Sequence, residues 1–289
     1  MDKNKVIRIY CFFALSLIIG LFGAVCLYLA VFGEYNDGMG HFTVDSFFAP
    51  VVYACLVAGP VVGVAGWILF RKDKAPDKAL PGNIFVKAAS GVAAATILYS
   101  TVAEMMSYNG AVGFKPGGVT VVSWIFSVLA AASLVFSGIL SGSGRVKPLV
   151  SLLAFAPALY CATEVLNLYF DQSVAVNSPV KLICQLSYLS YMLVFTAEAG
   201  LSLGRGKIFP RYIFTLCAAV AVGGCASVAA LVVAVSDVNC TAMVGADTVA
   251  KLGLFLYSCA RFASAPKIEI EAESVPEAMG ETEESVIEE

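Results

Sequence analysis

The stretch YIFTLCAAVAVGGCASVAALVVAV, residues 212–235, holds 24 residues without one charged side chain. About 20 apolar residues are needed for a helix to cross the roughly 30 Å hydrocarbon core of a bilayer, so this stretch predicts a transmembrane helix. It belongs to one of eight such runs, at approximately 6–32, 47–70, 83–106, 119–141, 148–170, 180–204, 211–236 and 246–264. Hydrophobic residues make up 59% of the chain and charged residues 13%, which excludes a water-soluble fold. The sequence predicts an all-α, polytopic integral membrane protein with eight transmembrane helices.

Basic residues predict the orientation of the bundle. Fifteen of the eighteen Lys and Arg residues fall at the N-terminus, in alternate connections and in the C-terminal flank, while Lys115, Lys181 and Lys251 fall on the other side. Cytoplasmic connections carry an excess of Lys and Arg, so both termini are expected in the cytoplasm. This arrangement needs an even number of helices and agrees with eight. We therefore expect a multi-pass protein of the plasma or cytoplasmic membrane.

The C-terminal segment differs in composition from the rest of the chain. Residues 268–289, IEIEAESVPEAMGETEESVIEE, hold nine of the 21 acidic residues and no basic residue. A segment of this kind cannot form an apolar core, so we expect a disordered, acidic cytoplasmic tail after a transmembrane domain of residues 1–267. The tail has two interpretations: a solvating segment, or a docking segment for another membrane protein or a basic cytoplasmic protein.

Two pairs of segments suggest an internal repeat. ILYSTVAEMMSYNG (97–110) and ALYCATEVLNLYFD (158–171) share a Leu-Tyr pair followed by an acid, 61 residues apart. LVFSGILSGSGRVKP (134–148) and LVFTAEAGLSLGRGKIFP (193–210) share Leu-Val-Phe and G-R-x-K, with the arginines 60 residues apart. The nearly equal offsets predict that helices 3 and 4 form a hairpin and that helices 5 and 6 are its tandem copy.

Polar residues within the apolar runs mark a candidate site. Tyr160, Glu164, Asn167 and Asp171 follow one another at spacings of four, three and four, so they share one face of helix 5. A charged group deep in the bilayer costs several kcal/mol, so this face is expected to look toward the bundle interior. The complete candidate intramembrane polar site consists of Glu104, Tyr160, Glu164, Asn167, Glu198 and Lys251.

The depths of these residues predict which of them meet. Glu164 lies roughly 10 Å below the outer end of helix 5, Glu104 is shallower, and Glu198 lies toward the cytoplasmic end. Lys251 is the one base near the level of Glu164. Because an unpaired buried charge is costly, we expect Glu164 and Lys251 to face the same interior space and to pair. Asp247, four residues before Lys251, offers another partner.

Sequence motifs for chemistry are missing from the chain. The sole histidine, His41, falls in a predicted outer loop, and the nine cysteines show no C-x-x-C spacing. A zinc motif and a nucleotide-binding loop are also absent. We therefore expect no enzyme, no catalytic residue, no metal, no cofactor and no nucleic-acid partner, with the lipid bilayer as the surrounding medium.

Two leading functions remain, besides an intramembrane enzyme that no motif in the chain supports. The first is a non-enzymatic membrane module or complex subunit, in which the buried polar groups only join helices. The alternative is a transporter or binding protein for a small solute or ion, with an outward-facing polar site around Glu164, Glu104 and Lys251 that takes a cation, an amine or a proton.

Overall fold

The computed structural model describes residues 3–36, 39–72, 83–110, 116–140, 153–171, 173–175, 177–203, 205–236, 238, 240 and 243–273. Within these ranges the chain forms eight long helices, as predicted. They are α1 (Lys3–Glu34), α2 (Phe48–Phe70), α3 (Ile84–Gly110), α4 (Gly118–Leu140), α5 (Ala156–Phe170), α6 (Pro179–Ser202), α7 (Phe209–Val235) and α8 (Thr248–Glu273). The strands β1 (Tyr35–Asn36) and β2 (His41–Phe42) pair antiparallel between α1 and α2, and a 3₁₀ turn (Gly206–Ile208) precedes α7.

Six of these helices are long and apolar enough to cross a membrane by length and composition: α1, α2, α3, α4, α6 and α7. Helix α5 has 15 described residues, and the predicted start of this run at 148–152 lies outside the described residues. Pro157 stands in the first turn of α5, where its missing N–H breaks no helical hydrogen bond. The helical content and the six apolar helices fit a membrane protein.

Helix α7, which contains the opening stretch, lies at the centre of the bundle. It packs against α1, α2, α6 and α8, and 83% of its most apolar stretch is buried. A π-helical turn, Ala219–Gly223, interrupts it at mid-length. The outer helices reach this turn through glycines: an added Cβ would lie 2.6 Å from the Val220 carbonyl oxygen at Gly20 and 2.5 Å from the Ala221 Cβ at Gly59. The small residues therefore allow the helix backbones to approach closely.

The remaining helices form a sequence of neighbours beside α7. Helix α3 packs on α4, α4 on α5, and α5 on α6, while α8 packs on α3 and also contacts α6 and α7. The Tyr35 hydroxyl lies 3.0 Å from the Ser178 hydroxyl, so the α1–α2 and α5–α6 connections meet at one end of the bundle. That end is the predicted outer side.

The predicted repeat and tail extend beyond what the structure describes. The hairpins α3–α4 and α5–α6 each pack together, but Tyr99 is 62% exposed and its proposed counterpart Tyr160 is 2% exposed. The tandem repeat therefore stays a prediction. Helix α8 continues to Glu273 and so includes the first six residues of the predicted tail, while residues 274–289 lie outside the described residues. The disordered tail also stays a prediction.

Candidate functional site

A cavity of about 670 Å³ lies between α3, α4, α5 and the residues that precede α8. Four carboxylates line it, and no Lys or Arg within the described ranges does so. The carboxylates are those of Glu104, Glu164, Asp171 and Asp247. This cavity is called the acidic cavity below.

The acidic cavity opens at the predicted outer end of the bundle. Ser107, Gly118 and Asp171 line it near the ends of their helices and are exposed, whereas Tyr160 lines it from a buried position further along α5. The Tyr160 ring meets the Tyr188 ring edge to face, with centroids 6.4 Å apart. The cavity therefore has a mouth at the helix ends and an aromatic floor.

Four of the six predicted site residues come together here. Glu104 on α3 and Tyr160, Glu164 and Asn167 on α5 all line the acidic cavity. The spacing of the α5 residues explains this result, because positions three and four apart lie on one helix face. The other two, Lys251 and Glu198, do not line the cavity.

Helix α4 contributes contacts that the sequence analysis missed. The Ser123 hydroxyl donates a short hydrogen bond to Glu164 Oε1, and Trp124 Nε1 donates to Glu104 Oε2 at 2.8 Å. The Thr120 hydroxyl donates to Asn167 Oδ1 at 3.4 Å. A signal was present in the sequence: Thr120, Ser123 and Ser127 are spaced three and four apart, which places small polar groups along one side of an otherwise apolar helix.

The two glutamates keep acceptor capacity toward the acidic cavity. Each uses one carboxylate oxygen in its hydrogen bond to α4. Among the described residues, Glu164 Oε2 and Glu104 Oε1 accept no hydrogen bond of normal geometry, although the Asn167 side chain lies beside the Glu164 carboxylate. An ionised carboxylate can accept about four hydrogen bonds, so both groups can bind a further donor.

Asn167 supplies a donor beside these acceptors. Its Nδ2 is buried and has no hydrogen-bond partner among the described residues, although its Oδ1 accepts the bond from Thr120. Leaving a buried donor unpaired costs about 1–3 kcal/mol. A water or a ligand oxygen in the acidic cavity would satisfy it.

The predicted pairing of Glu164 with Lys251 is wrong. The Lys251 ammonium binds Asp247 Oδ2 at 3.1 Å and contacts Cys184 Sγ at 3.7 Å. Asp247 precedes Lys251 by four residues, so the two side chains meet on one face of the same chain segment without spanning the cavity. Asp247 lines the acidic cavity, while Lys251 lies behind it with its side chain 1% exposed. Lys251 thus compensates the negative charge of Asp247 without lining the cavity itself.

Glu198 belongs to a separate buried cluster toward the other end of the bundle. Its carboxylate accepts hydrogen bonds from Tyr212 at 2.9 Å and from Tyr257 at 2.6 Å, and it forms an ion pair with Arg261 Nε at 3.1 Å. Arg261 Nε also donates to the Tyr257 hydroxyl at 2.9 Å. These contacts join α6, α7 and α8.

Within the described ranges, no group of three or more His, Cys, Asp or Glu side chains is arranged to hold a metal ion. Comparison of the chain with protein-family models, with curated proteins and with solved structures finds no match.

Proposed function

We propose that this chain is a non-enzymatic, multi-pass membrane protein that binds a small organic cation in the acidic cavity. One observation carries the proposal: Glu104 and Glu164 line the same cavity, and each keeps one carboxylate oxygen free of hydrogen bonds of normal geometry from the described residues. The charge of the cavity lining, the volume of the cavity and the hydrogen-bonding groups in it also support the proposal.

The charge of the lining favours a cation. A carboxylate in a low-dielectric site is stable only with a compensating positive charge or with hydrogen bonds. Asp247 has such a partner in Lys251, at 3.1 Å. Among the described residues, Glu104 and Glu164 have only neutral polar partners: Trp124 for Glu104, and Ser123 with the nearby Asn167 amide for Glu164. A bound ammonium group would supply the missing positive charge.

The size and chemistry of the acidic cavity favour an amine. A volume of about 670 Å³ lies within the range of small-molecule pockets. An ammonium group donates several hydrogen bonds and suits two carboxylate acceptors, and the rings of Tyr108 and Tyr160 in the lining can attract a cation through their faces. The unpaired Asn167 amide suits a hydroxyl or carbonyl oxygen close to the ammonium.

We also propose a location in the plasma or cytoplasmic membrane with both termini in the cytoplasm and the acidic cavity facing outward. Lys181, Lys251 and Arg261 are buried and make internal contacts, so they do not reach an aqueous surface. Without these three, fourteen basic residues belong to the predicted cytoplasmic side and Lys115 alone to the other side. The positive-inside asymmetry is then stronger than the whole count indicates.

A membrane module or complex subunit is the second candidate function. The Glu198 cluster favours it, because Glu198, Tyr212, Tyr257 and Arg261 bind one another across three helices. The acidic residues after Lys267 would offer a docking segment to another membrane protein or to a basic cytoplasmic protein.

Thermal-shift measurements on the detergent-solubilised protein separate the two candidates. Butylamine is the probe, and butanol, which has a similar shape and no charge, is the control ligand. Binding to the folded state at 100 times Kd stabilises it by about 2.7 kcal/mol, so butylamine should raise Tm and butanol should not. Equal shifts with the two ligands, or no shift with either, would contradict cation binding and favour the module.

The carboxylate is tested by Glu164→Gln, with Asp45→Asn as its matched control. Asp45 is an exposed carboxylate in the α1–α2 connection and does not line the acidic cavity. Removing one partner of a buried charge pair costs about 2–5 kcal/mol, so Glu164→Gln should weaken butylamine binding at least ~30-fold in a calorimetric titration. Asp45→Asn should leave the affinity unchanged.

A further inference from the structure

An apolar groove lies on the exposed side of α3 and α4. It has a volume of about 440 Å³. Its lining residues are Met105 on α3 and Val121, Trp124, Ile125, Val128 and Leu129 on α4. Ile125 and Val128 are each more than half exposed, so the groove is open to the hydrocarbon of the bilayer in the proposed orientation.

The groove adjoins the acidic cavity along both helices. On α4, residues 118–120 line the acidic cavity, and Val121, Trp124, Ile125, Val128 and Leu129 line the groove. On α3, Glu104 lines the cavity and Met105 the groove. Trp124 connects them, because it lines the groove while its Nε1 donates a hydrogen bond to Glu104 Oε2 at 2.8 Å. Trp124, a residue of the groove, therefore positions the Glu104 carboxylate of the cavity.

The two sites are arranged like the parts of a membrane amphiphile. Helix α4 begins at the end of the bundle where the acidic cavity opens, so the groove follows the cavity in the direction of the bilayer centre. Residues 121 to 129 extend about 12 Å along the helix axis. A molecule with its head in the cavity and its chain in the groove would have a charged end near the interface and an apolar end in the hydrocarbon.

From this arrangement we infer that the ligand is a cationic amphiphile, with an ammonium head between Glu104 and Glu164 and an alkyl chain along the Val121–Leu129 face of α4. The inference rests on the proposed function and names its ligand class. The negative charge of the acidic cavity selects the ammonium head. The apolar groove alone would bind the alkyl chain of a neutral amphiphile equally well.

Photolabelling tests this inference. The probe is decylamine with a diazirine at the end of the chain, used on the protein in detergent micelles, and adducts are mapped by mass spectrometry. Decanol with the same diazirine is the neutral control. The amine probe should preferentially label the groove residues Met105, Val121, Trp124, Ile125, Val128 and Leu129, and unlabelled decylamine should compete. Glu164→Gln should reduce this labelling at least tenfold, while the decanol probe should show no preference for the groove.

A second variant keeps the test independent of Glu164. Ile125→Trp fills the groove from an exposed position outside the acidic cavity, so it should displace the adducts from α4 while butylamine still binds. Amine adducts spread evenly over exposed apolar positions such as Ile18 and Phe32, or unchanged by both variants, would overturn the amphiphile inference. If butylamine binds in that case, the proposed function stands without it; if butylamine fails to bind, both fall.

Discussion

Asp247 and Lys251 form an ion pair whose two members differ in their exposure to the acidic cavity. The Lys251 side chain is 1% exposed and the Asp247 side chain 21% exposed, so the pair is asymmetric. Water in the acidic cavity can reach the carboxylate but not the ammonium. Removing Asp247 and removing Lys251 should therefore destabilise the protein by different amounts.

We predict that Asp247→Ala destabilises the protein more than Lys251→Met does. The first change leaves a buried ammonium without its counter-ion and should cost about 3–5 kcal/mol, whereas the second leaves a carboxylate that water can reach and should cost about 1–3 kcal/mol. The free energy of unfolding in detergent measures both. The double variant should recover part of the loss, and Lys87→Met, at an exposed lysine, is the control. Rescue of Lys251→Met by Glu164→Gln would show pairing across the cavity after all.

At the scale of single residues, the sequence was informative only where a pattern was local. The spacing of Tyr160, Glu164 and Asn167 sufficed to place them on one face, since helix geometry fixes that result. The partner of Lys251 was misassigned because depth along two helices does not give their rotation or distance. Ser123 and Trp124 were missed because their contacts depend on which side of α4 faces α5 and α3.

At the scale of helices, α7 organises the bundle and glycines decide how closely its neighbours approach. Gly59 on α2 faces Ala221 in the π-helical turn, and an added Cβ there would lie 2.5 Å from the Ala221 Cβ. Gly91 on α3 lies in open space, where an added Cβ meets no atom within 4 Å. The two glycines thus form a matched pair for testing the central packing.

Gly59→Ala should destabilise the protein by about 1–3 kcal/mol, because the extra methyl group forces α2 away from α7. Gly91→Ala should be neutral or stabilising by roughly 0.5–1 kcal/mol, since alanine loses less backbone entropy than glycine in a helix. Thermal unfolding in detergent compares the two variants. Equal effects at the two positions would contradict the close contact of α2 with the π-helical turn.

Helix number and approximate bounds were predictable because uncharged runs of sufficient length have one favourable form in a bilayer. The opening stretch predicted α7 to within a few residues of Phe209–Val235. The central position of α7 and its π-helical turn could not be predicted, because all the apolar runs look alike until tertiary packing distinguishes lipid-facing from buried helices.

At the scale of the whole molecule, buried polar groups lie at two levels along the bundle, one near each end. Near the predicted outer end, carboxylates line an open cavity and keep free acceptors. Toward the other end, Glu198 and Arg261 bind each other and two tyrosines in a buried cluster. The proposed function assigns ligand binding to the first level and helix packing to the second. It requires an acidic cavity that is open to the outside and negatively charged.

Charge-selective labelling of Ser107→Cys in intact cells tests this most directly. Ser107 lines the mouth of the acidic cavity and is exposed, and the cysteine is placed in a cysteine-free background. An impermeant trimethylammonium thiol reagent should react at least about tenfold faster than its sulfonate counterpart, because a cleft of one charge sign concentrates the opposite charge. Val44→Cys, fully exposed in the α1–α2 connection, corrects for the intrinsic rates of the two reagents.

We expect labelling from outside, a corrected preference for the cationic reagent, and slower labelling in the presence of butylamine. Labelling only after the cells are permeabilised would contradict the proposed orientation. Equal corrected rates for the two reagents, with no protection by butylamine, would contradict an acidic cavity that binds cations.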